Sequence, residues 1–586
     1  MKSGSILAAL FLGTVFPPSL FPSPPAGPHE DPPSQAPLET RILSFPDLLL
    51  PCTPPPAVRF FPILGDGFAD GPVLDILSNG SEDEESSEGP FYIFPSPEDP
   101  ILIPDEVGKM LRPFVGAQEL KGKDRDFQVF GGNLLLVQPA RVIEKAEAGL
   151  TFLSRLLRPR LSIRLAVFLD PAPASGRAVR TIPFRDGEAL LRSLEKGEGG
   201  RLLFQAEREA AAFQPVFLGR TRRFSFLGDL ELEVAAKTSA ARPLEKTLSL
   251  RQGVLLSSRP SPLGEELELA CHALYQEPAG APRGLSLHTG NPRMTMETAE
   301  FLDFQTGITL GLRENLALLL APGGWQRPHL KFLLLVQRLS PPPQGEENVL
   351  FLSRDFFTPP GDSLPPADPD FNEMGWQYIK ALIPKDLACE EFPRWIRISA
   401  PKADLASLRS RVERALAPFR RTFLVEIQRE IAPVAPMGEG DRRWRPLGPP
   451  TAVLCRKGKP ALALLGREKS YVAGYEVEIA EKSAAADPTV KTAFSGSLLL
   501  VRVDPQGEKT WVELNLLESS LLGFRRLPSA EITRIGTAFV PDLGQVHIQQ
   551  SFSMKPGESR PLGWGPKRIL RGRLYKTRLT LTLHIL

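Results

Sequence analysis

Catalysis by side chains needs positioned acids, bases or nucleophiles, and histidine is the commonest general base. This chain of 586 residues has six. His29 sits in a proline-rich leader, while His272, His288, His329, His547 and His584 are scattered without H-x-H, H-E-x-x-H or H-x-x-E-H spacing. Each is expected on the surface or a strand face, not on a metal. Cys52, Cys271, Cys389 and Cys455 lie far apart and form no C-x-x-C pair, which leaves buried thiols, or one or two long-range disulfides in an oxidising compartment. Cys271 and His272 are adjacent, but neighbours on a strand point to opposite faces and do not converge on one ion. There is no G-x-S-x-G elbow, Walker-type loop or G-x-G-x-x-G fingerprint. The acidic tract Ser78-Asn79-Gly80-Ser81-Glu82-Asp83-Glu84-Glu85 reads as an exposed loop. As a calcium loop turning at Gly80 it would place Leu77 and Ser86 where carboxylates are required. No catalytic, cofactor-binding or metal-ligating residue is assigned, no cofactor is expected, and the chain reads as a non-enzyme.

Two basic clusters remain as binding candidates. Arg442, Arg443, Trp444 and Arg445, with Arg456, Lys457 and Lys459 nearby, could meet acidic glycans, lipid phosphates or nucleic acid, but read first as a solvated linker. Lys567, Arg568, Arg571, Arg573, Lys576 and Arg578 precede the last strand and would face phosphate headgroups if that strand lay at a membrane; an exposed sheet face needs the same alternation. Overall, 70 basic residues balance 68 acidic ones, so no global field marks a nucleic-acid binder, and none is expected as a partner.

The elements that would hold such groups repeat. Adding 262 to the numbering maps Asn133 to Leu165 onto Trp395 to Ile427 without a gap, with Leu134 and Leu136 on Ile396 and Ile398, and Pro139 on Pro401. Within that span, Ile143, Ala146, Leu150, Leu153 and Leu157 predict an amphipathic helix over Arg141 to Leu157, answered by Leu405, Leu408, Val412, Ala415 and Phe419. The alternating strand Leu161, Ile163, Leu165 and Val167 is answered by Phe423, Val425 and Ile427. Upstream, Pro104 to Phe114 predicts a short helix matched by Met374 to Leu382. Phe127 to Phe130 and Leu134 to Val137 predict a hairpin through Gly131-Gly132-Asn133, of which the second copy keeps only Trp395 to Ile398 clearly. Each half opens alike, at Thr40 to Pro51 and at Asn348 to Pro359. The unit is a small α/β module with two helices on a three-stranded sheet.

Downstream of each module the pattern turns to strands and stays there. A shift of 247 carries Phe217-Leu218-Gly219-Arg220 onto Leu464-Leu465-Gly466-Arg467, and Phe332, Leu334 and Val336 onto Leu579, Leu581 and Leu583. What recurs is the apolar pattern while the charges change, so the repeat preserves a core and not a chemistry. The fold class is α+β, with two copies of the α/β module each followed by a mostly antiparallel β module. Expected boundaries are a signal peptide over 1–25, a Pro-rich linker over 26–40, a first α/β module over 41–170 with the acidic insertion near 78–89, and a first β module over 171–343. A second α/β module over 344–430 and a second β module over 431–586 follow.

The signal is read from Lys2 and the apolar run Ile6 to Phe16, too short to span a bilayer as a mature helix. No later segment is long and apolar enough for a transmembrane helix, so soluble, surface-associated and strand-inserted states all stay open.

These pieces resemble the secretin family, the ring-forming outer-membrane channels of type II and III secretion and type IV pilus systems. Pro46-Asp47-Leu48-Leu49 is similar to the strand leading into a secretin periplasmic module. Gly131-Gly132-Asn133-Leu134-Leu135-Leu136-Val137 with the following helix resembles a ring-building module. The glycine, strand, proline, glycine, strand order of Gln252 to Leu269 is similar to paired strands of the secretin core. Ile535-Gly536-Thr537-Ala538-Phe539-Val540-Pro541-Asp542-Leu543-Gly544-Gln545-Val546 is similar to the strand, turn and strand near that core's end. The resemblance implies a non-enzymatic assembly or binding protein of the bacterial periplasm or outer membrane. Its partners would be other envelope or secretion-system proteins, a homo-oligomer included. An exported hydrolase or glycan-active enzyme on a β scaffold, and a cell-surface adhesin, are the alternatives.

Overall fold

The computed structural model describes residues 37–44, 104–116 and, with interruptions of which the longest is 354–376, residues 126–586. The leader, the acidic tract, Phe45 to Leu49 and Arg354 to Phe357 lie outside the described residues. The described chain is mostly strand with a minority of helix.

It opens with β1 (Leu38–Ser44), α1 (Pro104–Val115), β2 (Asp126–Phe130), β3 (Asn133–Pro139) and α2 (Ala140–Leu157). The sheet order is β1-β3-β2, antiparallel, with Leu43 and Val129 both opposite Leu134. Strand periodicity turns Leu134 and Leu136 to one face, and the 3.6-residue period of α2 lays Val142, Ile143, Ala146, Leu150 and Leu153 over them beside Met110 and Leu111 of α1.

Next come β4 (Arg160–Leu169), β5 (Val179–Ile182), α3 (Phe184–Glu195), β6 (Arg201–Ala211), β7 (Val216–Val234), β8 (Ser239–Pro260) and β9 (Leu267–Pro278). A hairpin of β10 (Arg283–Leu287) and β11 (Met294–Thr298) leads to β12 (Glu300–Leu312), β13 (Asn315–Leu320) and β14 (Leu330–Arg338). Two sequence expectations change here. The strand now called β4 was expected as the third strand of the α/β sheet, but β1 fills that place, and β4 sits in a second sheet of order β5-β13-β14-β4-β6. Its burial explains the move: Leu161, Ile163, Leu165 and Val167 pack on one side while Ala166 and Phe168 pack on the other, so it needs cover on both faces. That cover is the second change, because α3 lies in a stretch expected to be strands alone and sets Leu191 and Leu194 on Ala166, Phe168, Leu333 and Leu335.

The second half runs β15 (Val349–Ser353), a helical stretch at 377–381, β16 (Ala388–Glu391), β17 (Trp395–Ser399), α4 (Lys402–Arg420), β18 (Thr422–Pro433), β19 (Arg445–Pro446) and β20 (Thr451–Arg456). It ends in β21 (Ala461–Ala480), β22 (Ser483–Gln506), β23 (Lys509–Arg526), β24 (Phe539–Met554), β25 (Ser559–Leu570) and β26 (Arg573–Ile585). The sheet β15-β17-β16 matches β1-β3-β2 in order. β16 escaped the sequence reading, yet Cys389 opposite Ile398 is the pairing of Phe127 opposite Leu136 moved by 262 at both residues. Likewise, Leu165 opposite Leu334 becomes, by 262 and 247, Ile427 opposite Leu581, which is the register observed.

The remaining strands form one large sheet in which β7-β8-β9-β12 runs into β21-β22-β23-β24. Each long hairpin is pinched where glycine faces glycine, Gly219 opposite Gly253 and Gly466 opposite Gly496. A Cβ on Gly496 would lie 2.2 Å from the Leu465 carbonyl oxygen and 2.4 Å from Gly466 Cα, so only glycine permits that approach. Of the strand, turn and strand expected over Ile535 to Val546, Phe539 to Val546 run as one strand through β24, Pro541 included, beside a bulge at Leu521/Gly523, while Ile535 and Gly536 lie outside the described residues. Proline lacks the N–H an inner strand must donate, and an edge strand next to a bulge tolerates it.

Candidate functional site

The chemistry-bearing residues do not converge. His272 is buried on β9 with Nε2 3.3 Å from Gln305 Oε1, His547 Nε2 lies 2.6 Å from Asn515 Oδ1, and His584 Nε2 lies 3.2 Å from Glu426. His329 Nδ1 is 2.9 Å from the Asp170 carbonyl oxygen, at an open cleft of about 980 Å³ lined also by Leu194, Glu195 and Arg201. His29 and His288 lie outside the described residues, as does Cys52. Cys271 and Cys455 are buried free thiols, their ionisation pushed upward by desolvation, and Cys389 is an exposed free thiol. Among the described residues no group of three metal-ligating side chains forms.

What the fold does assemble is a seam between its halves, built in three layers. The first is a strand junction: β12 pairs antiparallel with β21, Glu300 opposite Lys469 through Thr306 opposite Ala463. On it Asp303 and Glu468 are both buried, and desolvation, then the charge of Glu468, pushes the Asp303 carboxyl well above its ordinary range.

The second layer is an ion cluster. Glu268 on β9 accepts from Arg259 Nε at 2.8 Å, and Arg456 donates to Glu266 at 2.6 Å while lying 3.9 Å from Glu268. Arg420 lies 3.5 Å from Glu266. Lys459 is buried nearby; burial, then the guanidinium of Arg259, brings its ammonium down to about 7 against the pull of Glu268. Arg456 and Lys459 were expected in a solvated linker. They are interior instead, because β20 runs between β12 and β18 and sets Arg456, with Lys459 in the turn that follows it, against the carboxylates of the first half. Arg442 and Arg443 lie outside the described residues.

The third layer joins the α/β units. β15 divides its side chains by alternation: Leu350 and Leu352 enter the core of the second unit, while Val349 and Phe351 enter that of the first. The Phe351 ring stacks on Phe114 of α1 at 6.2 Å and meets Phe152 of α2 at 6.0 Å. Arg397 Nη1 donates to the Lys109 carbonyl at 2.8 Å.

Among the described residues, each layer has a less covered counterpart elsewhere in the fold. Among the described strands β24 is laddered to β23 alone, and β7 to β8 alone. Gln545 stands where Gln305 does, each the second residue across the ladder from its hairpin glycine, an offset of 240. None of residues 540–546 on β24 is buried, although five of the seven equivalents on β12, residues 300–306, are. Gly219 to Arg222 of β7 are exposed, whereas the equivalents Gly466 to Lys469 of β21 are buried or half-buried. The pair Arg502–Glu513, Nε to Oε2 2.7 Å, repeats Arg259–Glu268 cross-strand for cross-strand, but its side chains are 33% and 39% exposed against 3% and 3%. On the α/β layer, Ile42 takes the place of Phe351 and is 59% exposed.

No protein-family model and no curated protein matches the chain. Solved structures it is similar to include secretins. InvG, the secretin of the Salmonella SPI-1 type III secretion injectisome, is 9% identical over 36% of this chain and 77% of its own, at a TM-score of 0.19. ExeD of Aeromonas hydrophila is 10% identical over 83% of this chain and 88% of its own, at 0.17. GspD, the type II secretin of enteropathogenic Escherichia coli, is 12% identical over 37% and 83%, at 0.15. At scores this low the alignments establish neither a shared chain trace nor a shared activity.

Proposed function

We propose that this chain is a non-enzymatic assembly protein of the bacterial envelope, exported and serving a secretion or pilus system, that associates head to tail with further copies of itself. The carrying observation is polarity. At the internal seam the tail of the first half, its helices and β12, meets the head of the second, its β15 sheet face and β21. The head left open at one end, Ile42 and β7, and the tail left open at the other, α4 and β24, are of complementary kinds. One docking event would cover all three layers, and a heterologous contact of this kind closes into a ring or runs on as a filament. The mechanism is sheet continuation, an exposed edge strand completed by another chain. The resemblance to secretins supports the ring and the envelope setting. The division into signal, linker and two α/β plus β copies belongs to the same proposal, and the matched registers of β4 with β14 and of β18 with β26 support it.

The internal register, carried over, sets Val540 of one chain opposite Arg222 of the next, and Gln545 opposite Phe217. The test is a Val540→Cys and Arg222→Cys pair in a chain with Cys52 and Cys389 changed to serine. Oxidation is expected to give a ladder of covalent oligomers, lost when Arg222→Cys is replaced by Thr221→Cys, which points to the other face. A monomer at every concentration, or equal cross-linking in both registers, would overturn the proposal.

A further inference from the structure

The hairpin of β25 and β26 carries a stripe that neither the seam nor the open edges use. On β26, Leu574, Lys576 and Arg578 recur every second residue and so share a face. Ile569 stands opposite Leu574, and Trp564 opposite Arg578. Directly opposed residues of an antiparallel pair project on one side, so all five belong to one surface. Trp564 is 62% exposed, Ile569 47% and Leu574 37%. The Trp564 ring lies 5.5 Å from that of Trp444, over which Arg578 sits at 4.9 Å. Lys576 in the stripe, and Lys567 and Arg573 beside it, are exposed and have no carboxylate partner among the described residues. Of the hairpin's other described basic groups, Arg568 is buried against Glu518, Arg578 pairs with Glu430, and Arg560 lies over the Phe552 ring at 4.4 Å.

A hairpin face with exposed aliphatics at Ile569 and Leu574, cations on either side of them at Arg573, Lys567 and Lys576, and a tryptophan pair about 13 Å along the strand has the composition of a surface that lies against a bilayer. Aliphatics enter the acyl boundary, long basic side chains reach the phosphates, and tryptophan rings settle at headgroup level. We infer that this hairpin is a membrane-surface anchor, and that its ligand is an anionic phospholipid bilayer. The excess of positive charge is local, since the whole chain is only +2. An uncharged surface would not answer Lys567, Arg573 and Lys576. A protein partner would bury aliphatics at its centre and draw few lysines into contact.

The test uses the full chain with vesicles of phosphatidylcholine containing a third phosphatidylglycerol, against pure phosphatidylcholine. Co-sedimentation with the anionic vesicles is expected, weakening as salt rises. Near the surface each cation contributes about 1 kcal/mol, so Lys576→Glu should lower partitioning roughly tenfold or more. Ile569→Asp with Leu574→Asp should abolish it while the unfolding midpoint stays put, both positions being exposed. Brominated acyl chains should quench part of the tryptophan emission, and that part should vanish in Trp564→Phe. Equal binding to both vesicle types, no binding to either, or anionic binding that survives the double aspartate variant would each overturn the inference. A change in oligomer size in that variant without vesicle binding would assign the stripe to a second copy of the chain.

Discussion

The repeated ion pair offers a controlled comparison inside one molecule. Arg259–Glu268 and Arg502–Glu513 join equivalent strands at equivalent rungs, and differ in cover. Glu268→Gln removes the charge that answers Arg259 and, at longer range, Arg456 and Lys459, leaving guanidinium groups in a site 3% exposed. Breaking a buried pair from one side costs about 3–5 kcal/mol. Glu513→Gln removes the same carboxylate where water reaches both partners, and costs about 0–1 kcal/mol. With an m-value of about 3 kcal/mol/M, the first substitution should lower the urea midpoint by roughly 1 to 1.7 M and the second by no more than roughly 0.3 M. The assay is equilibrium unfolding followed by far-ultraviolet circular dichroism at low protein concentration. Equal shifts, or a shift under about 0.3 M for Glu268→Gln, would refute the claim that cover by the second half sets the strength of the pair. At concentrations where chains associate, the cost of Glu513→Gln should rise toward that of Glu268→Gln, because the next copy would supply the missing cover.

Three further outcomes are expected. Lys459 titrates near 7 when folded and near its ordinary, higher value when unfolded, so the unfolded state binds more protons between those limits and stability should climb with pH across them; in Lys459→Met that climb should flatten, as read from denaturation midpoints at a series of pH values. Asp303 has the opposite sign: its raised pKa means that the native state holds the extra proton, so stability should fall as pH rises above the ordinary carboxylate range, and Asp303→Asn should gain on the native chain as pH increases. Gly496→Ala sets a Cβ against backbone that cannot rotate away, and should cost about 1–3 kcal/mol or more, whereas the same change at Gly523, which has open space around it, should cost far less by thermal unfolding.

The parts legible in sequence were those where one face decides the residue. α2 and α4, β3 and the closing β26 carry clean periodicities because each rests a single apolar side on a core. β16 was not legible, since Ala388, Glu390 and Glu391 show no apolar alternation and only the register with Ile396 and Ile398 reveals the strand. β4 was legible as a strand but not in its place, because its partners β6 and β14 are distant in sequence, β14 by more than a hundred residues, and leave no mark on local pattern. The buried charges misled for a related reason. Arg456 and Lys459 look like solvated cations until Glu266 and Glu268, nearly two hundred residues earlier, are brought beside them. No histidine or cysteine spacing could have found the seam, because its material is strand edges, apolar faces and ion pairs, whose meaning depends on what lies opposite.

A seam folded into the chain changes how such an assembly can form. Two units joined covalently meet at an effective concentration fixed by their linker, so half of all the contacts in an oligomer are made before any second chain arrives. The folded-in seam can therefore be apolar, as Phe351 between Phe114 and Phe152 shows, without leaving a sticky surface on the free protein. The open faces are held to a different standard, since they meet water until a partner comes. Ile42 in place of Phe351, Arg414 in place of Phe152, and Thr221 and Leu543 in place of the buried carboxyls Glu468 and Asp303 make them a more polar or less demanding version of the same contact. If the open faces dock as proposed, the asymmetry between the two interfaces fits separate roles: one seam would have to survive folding, and the other would wait for assembly.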